Sequence, residues 1–155
     1  MSNAIRIFAC SLLLMGSANA FAQQSSQCPS LPPDSNMHWA DEQAREDYVL
    51  CKGALDDGRI VLNVMLTTSD PGLSLKRELR AEKGSFAGES MHWYRPDVGN
   101  ADAPELALRR IAVIDLGKRH YAQIWIDAGD THELAWLQQL TIDLDNTSQA
   151  LAKGQ

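Results

Sequence analysis

Cysteine is scarce in this 155-residue chain. It occurs only at positions 10, 28 and 51, with no Cys-x-x-Cys pair, so neither a dithiol redox site nor a cysteine zinc site has its usual spacing. Positive charge is also short. Fourteen Lys and Arg face 20 Asp and Glu, a net charge of −6, which argues against nucleic acid as a partner. No apolar run approaches the roughly 20 residues that span a bilayer. There is no glycine-rich phosphate loop.

Two near-motifs fail for stated reasons. His132-Glu133-Leu134-Ala135-Trp136 has tryptophan where the H-E-x-x-H zinc helix needs its second histidine, and without that ligand the spacing loses its purpose. Ser85 in Gly84-Ser85-Phe86-Ala87-Gly88 misses the G-x-S-x-G elbow by one position, and Ser90 falls in a strand pattern. Asp115 and His120 fall opposite each other in the expected hairpin register, where the carboxylate could orient the imidazole, but no nucleophile accompanies them. No catalytic residue, cofactor site or metal site is assigned, and a non-enzymatic role is expected.

What is present begins with a leader. Residues 1–22 carry one basic residue (Arg6), the apolar run Ile7 to Met15 and small-residue cleavage sites at Ala18-Asn19-Ala20 or Ala20-Phe21-Ala22, the layout of a secretory signal peptide. Neither Cys10 nor Cys28 has the Leu-small-small-Cys context of a lipid-anchored cysteine, so no membrane anchor is expected. The product is expected in the periplasm or outside the cell. Without Arg6 the chain keeps 13 basic against 20 acidic residues, a net charge of −7, a field that would draw a basic protein partner. Cys28 and Cys51 are then an even pair in an oxidising compartment, and a structural disulfide follows.

Residues 23–46 read as an extended lead-in, rich in Ser, Gln and Pro up to Asn36, with one or two polar helical turns between Trp39 and Glu46. A single domain is expected over 47–145, with a frayed tail at 146–155. Asp57-Gly58 is a strong hairpin signal. It pairs Val49, Cys51 and Leu55 with Ile60, Leu62, Val64 and Leu66 on a core face. Asp70-Pro71 resembles a helix start leading to Lys83, although Leu73, Leu75, Leu79 and Ala81 also fit an edge strand. Glu89 to Arg95 reads as a strand with Met91 and Trp93 on one face and His92 and Tyr94 on the other.

Residues 109–144 combine a hairpin and a helix. Gly117-Lys118 fits a type II′ loop, which places Ile111 and Val113 on the face of Ala122, Ile124 and Ile126, and Ile114 and Leu116 with Tyr121 and Trp125. Asp130 and Glu133 have capping-box spacing, and Leu134, Leu137, Leu140, Thr141 and Leu144 form an apolar stripe. The fold class is therefore α+β: an antiparallel sheet of about five strands, from two hairpins and one further strand, with one or two helices packed on it.

For function, the aromatic residues carry the argument. Trp93, Arg95, Tyr121 and Trp125 are the expected partner-binding set, being large, rigid, amphipathic groups with a nearby cation. The leading reading is a small exported binding module acting on a protein partner, by analogy of size, charge and compartment as an inhibitor or immunity-type protein. A second reading uses the two Met-His-Trp triplets, Met37-His38-Trp39 and Met91-His92-Trp93, as a Cu(I) site, and a duplicated unit would also account for them. An enzyme with an unrecognised site is the third.

Overall fold

The computed structural model describes residues 28–98 and 104–153. The leader expected at 1–22 lies outside the described residues. The chain forms seven strands and one helix: β1 (Met37–Ala44), β2 (Tyr48–Leu55), β3 (Ile60–Thr67), β4 (Arg80–Phe86), β5 (Glu89–Tyr94), β6 (Arg109–Gly117), β7 (His120–Asp127) and α1 (Thr131–Lys153). All strands join one antiparallel sheet in the order β1-β2-β3-β7-β6-β5-β4. The α+β class holds, and the strand count exceeds the expected five by the two edge strands, β1 and β4.

Both edges were masked by polar composition. Residues 37–44 alternate partly buried with exposed positions and pair with β2, so the lead-in expected to end at 46 contributes a strand instead of helical turns. Asp41 and Glu42 on β1, and Arg80, Glu82 and Lys83 on β4, are the kind of charged residues that keep an open sheet edge from recruiting another chain. The helix expected from Asp70 does not form. Asp70 Oδ1 accepts from the Gly72 N-H at 2.9 Å, and Gly72 sits at φ 64°, so the side chain closes a local turn in place of a helical start. A short 3-10 turn at Arg77–Leu79 leads directly into β4.

One face of the sheet holds the core. Val49, Cys51, Leu62, Val64, Ala112, Ile114, Ala122, Ile124 and Ile126 are buried there with Met91, Trp93 and Phe86, and the helix docks Leu134, Leu137, Leu140 and Leu144 onto β7 through β4. The expected apolar stripe is thus the buried one. The β1 to β3 half of this face is covered by the lead-in: Cys28 is bonded to Cys51, and the Trp39 indole donates to the Pro29 carbonyl at 2.8 Å. The helix start is capped as its spacing implied, with the Glu133 N-H donating to Asp130 Oδ1 at 2.8 Å, while Glu133 accepts from Gly129. Helix α1 continues to Lys153, beyond the boundary expected at 145.

Two registers differ from expectation, each through one extra residue. In β2-β3 the pairing shifts between Gly53 and Ala54, so Ile60 faces solvent at 40% exposure while its neighbour Val61 is buried. In β6-β7 the loop is Lys118-Arg119, both at positive φ (51° and 62°), and not Gly117-Lys118. With the bulge between Asp115 and Gly117, the ladder is slipped by one residue, which transfers every β6 side chain to the other face. Ala112 and Ile114 join the core, and Ile111 and Val113 turn away from it. Asp115 consequently pairs with Tyr121 and not with His120, and it accepts from the Gly117 N-H at 2.8 Å.

Candidate functional site: a groove on the helix-free face

The sheet face opposite α1 presents partly buried side chains: Tyr94 on β5, Ile111 and Val113 on β6, and Tyr121 and Trp125 on β7. Their parity follows from the pleat, since residues two apart share a face. The connection from β3 to β4 runs beside this face because it must carry the chain from the middle of the sheet to its far edge. Between the connection and the strands lies an open groove of about 350 Å³. Ile111, Trp125 and Tyr94 come from the sheet, Leu73, Leu75 and Leu79 from the connection, and Lys76, Arg95 and Asp97 add charge.

Few contacts hold the groove's two sides together. Lys76 Nζ lies 2.6 Å from Asp97 Oδ2, and the Arg95 N-H donates to the Leu79 carbonyl at 2.9 Å. The Asp97 contact holds the Lys76 ammonium above its ordinary range by hydrogen bonding and then by charge. Arg80 stacks over Tyr94, 5.8 Å from the ring centroid, and donates to its hydroxyl at 3.2 Å. His92 is pushed below the usual imidazole range, first by desolvation and then by Arg80 and Lys83, so it stays neutral at neutral pH. The Trp125 indole N-H makes no hydrogen bond to a described residue, in contrast to that of Trp39.

Of the expected partner-binding set, Trp125 and Arg95 line the groove. Tyr121 shares the face of Trp125 but lies four residues along β7, about 13 Å away, and outside the groove. Trp93 has no exposed surface: it sits under the helix, on the face opposite Tyr94. The alternation along β5 is as expected, with Trp93 and Tyr94 on opposite faces; the core takes the more apolar side, that of Met91 and Trp93, and Tyr94 holds the surface position expected of Trp93.

The Met-His-Trp triplets have a packing explanation. On β2, a Cβ added to Gly53 would come within 2.7 Å of Met37 Cε and 3.2 Å of the Trp39 ring; on β4, one added to Gly84 would come within 2.9 Å of Trp93 Nε1 and 3.1 Å of Met91 Cε. Each triplet lays its Met and Trp over a glycine of the neighbouring strand. The triplets sit on β1 and β5, five strand spacings or about 24 Å apart, so His38 and His92, or Met37 and Met91, cannot share an ion. The sheet order does place β1-β2-β3 and β5-β6-β7 on either side of the β3-β7 seam, but no helix follows β3. No group of three or more His, Cys, Asp or Glu side chains arranged to hold a metal ion occurs among the described residues.

A second polar cluster ties helix to sheet. Arg110, with its side chain 9% exposed, donates to both Glu82 oxygens at 2.8 Å and to the Ala107 and Arg109 carbonyls at 2.8 Å, while Gln138 on α1 donates to Glu82 at 3.0 Å. The Arg110 guanidinium, aided by Gln138, pulls the Glu82 carboxyl down to about 2. Every oxygen and nearly every donor is used within the cluster, which makes it a structural clamp.

The fold and groove define an α+β domain with one helix-covered face and one face available for contact. Compared with known proteins, the chain matches no family model, no curated protein and no solved structure. Among the described residues no helix is long and apolar enough to cross a membrane.

Proposed function

We propose that the protein is an exported, non-enzymatic binding module that engages a protein partner through the groove on the helix-free face, acting by occlusion in the manner of inhibitor and immunity-type proteins. The observation that carries this reading is the floor of the groove: Trp125 and Ile111, brought together from adjacent strands, with Tyr94 beside them and Arg95 at the rim. Large, rigid aromatic and Arg side chains at the centre of a concave patch are the chemistry of recognition hot spots. No histidine lines the groove to serve as a base. The Cys28 to Cys51 disulfide is consistent with an oxidising compartment such as the periplasm.

The test is capture from a periplasmic extract by the oxidised protein, compared with Trp125→Ala and with a His92→Ala control. Loss of a specific band in Trp125→Ala alone is the expected result. A band captured equally by all three proteins, or by none, would end this reading.

A further inference from the structure

We infer that the groove's occupant is an acidic peptide segment of the partner, an apolar or aromatic anchor flanked by Asp or Glu; this rests on the reading above. The net charge of −6 suggests a basic partner, but a short-range contact is governed by charges within about a Debye length, roughly 8 Å at physiological salt. The charges at this groove have the opposite sign.

Lys76 and Arg95 line it, Arg80 lies over Tyr94 on its floor, and Lys83 neighbours His92 on the same face. Among the lining residues the only carboxylate is Asp97, and Lys76 already occupies it. Arg80, Lys83 and Arg95 make no ion pair with any described residue. Within the strands the other cations differ: Lys52, Arg109 and Arg110 are each matched by a carboxylate, and Arg45, Arg77, Lys118 and Arg119, unpaired among the described residues, all lie in connections between strands.

The uncommitted Trp125 indole N-H adds a hydrogen-bond donor to the floor, suited to a carboxylate or a peptide carbonyl. An elongated ligand fits better than a compact one. The groove's 350 Å³ holds one or two side chains, whereas Lys83 extends the cationic strip along β4, past the groove's own lining. A peptide can place its anchor in the groove and its carboxylates along the strip.

The experiment is a display selection of random dodecapeptides on the oxidised protein, followed by anisotropy titration of the enriched peptides. Expected are peptides rich in Asp and Glu around an apolar anchor, with affinity falling at least about tenfold in Arg95→Glu and in Arg80→Ala, and falling again as salt rises from about 50 to about 500 mM. These exposed cations can be replaced without touching the core, and far-ultraviolet circular dichroism checks the fold. Peptides that require Trp125 but carry no acidic preference, or that bind Arg95→Glu unchanged, would overturn the acidic occupant and leave the binding module standing. If no peptide depends on Trp125 at all, both fall. Binding to vesicles of phosphatidylglycerol in phosphatidylcholine that needs Arg80 and Arg95, with no peptide selected, would also overturn the inference, in favour of an anionic membrane surface.

Discussion

Ile111 lies directly across the β6-β7 ladder from Trp125, and the two side chains together floor the groove on the helix-free face. Their neighbours one residue along, Ala112 and Ile124, are fully buried beneath the helix. Adjacent substitutions should therefore have opposite severity. Ala112→Asp is expected to cost at least about 3 kcal/mol by placing a carboxylate in the core, and Ile111→Asp about 1 kcal/mol, both read from urea unfolding. A larger loss in Ile111→Asp would return β6 to the register with its loop at Gly117-Lys118.

The glycines beneath the two triplets give a second contrast. Gly84→Ala would press a methyl against Trp93, which is fully buried, and overpacking of this kind costs about 1 to 3 kcal/mol. At Gly53 the nearest atom is the end of a partly buried methionine chain, which can swing aside. Gly53→Ala should lower Tm by less than Gly84→Ala does.

The Glu82 to Arg110 clamp predicts a pH signature. The Glu82 carboxyl is lowered to about 2 in the folded chain, below its ordinary value of 4.5, so its stabilising effect is complete above about pH 4.5 and fades as the pH drops toward 2. Glu82→Gln should be less stable than the wild type at neutral pH, by about 2 kcal/mol because Arg110 is buried while Glu82 is partly open to solvent. The gap should narrow as the pH is lowered below 4.5. A gap independent of pH would mean that Glu82 contributes by packing alone.

Lys118 and Arg119 hold left-handed backbone without glycine. Such positions cost about 1 kcal/mol each, and Asn-Gly suits this two-residue loop. Replacing Lys118 with Asn and Arg119 with Gly should raise Tm without altering capture by the groove. A fall in Tm would show that the loop has a different geometry in solution.

Reduction of the Cys28 to Cys51 bond opens a link across a sequence separation of 23 residues, and should lower stability by about 3 kcal/mol. The lead-in should then become the first segment to exchange its amide hydrogens, since its remaining side-chain anchor includes the Trp39 to Pro29 hydrogen bond.

Local chemistry made several elements legible in the chain itself. The disulfide followed from an even cysteine pair, the β2-β3 hairpin from Asp57-Gly58, and helix α1 from the Asp130 cap and its leucine spacing, because in each case nearby residues carry the whole instruction. Tertiary structure decided what depends on pairing between distant segments. Strands β1 and β4 exist because neighbouring strands supply their hydrogen bonds; the polar composition of the first reads as lead-in or helical turns, and the approach to the second fits a helix as well as an edge strand. The groove was less legible still. One residue of slip at Leu116 exchanged the faces of β6, and with them the identity of Trp125's partner. Tyr94 replaced Trp93 at the surface because the core took the more apolar side of β5, Lys76 and Arg80 reached the site only through the path from β3 to the far edge of the sheet, and Asp97 through the chain leaving β5. A period of two tells which residues share a face, but only the layer packed against the sheet decides which face is buried.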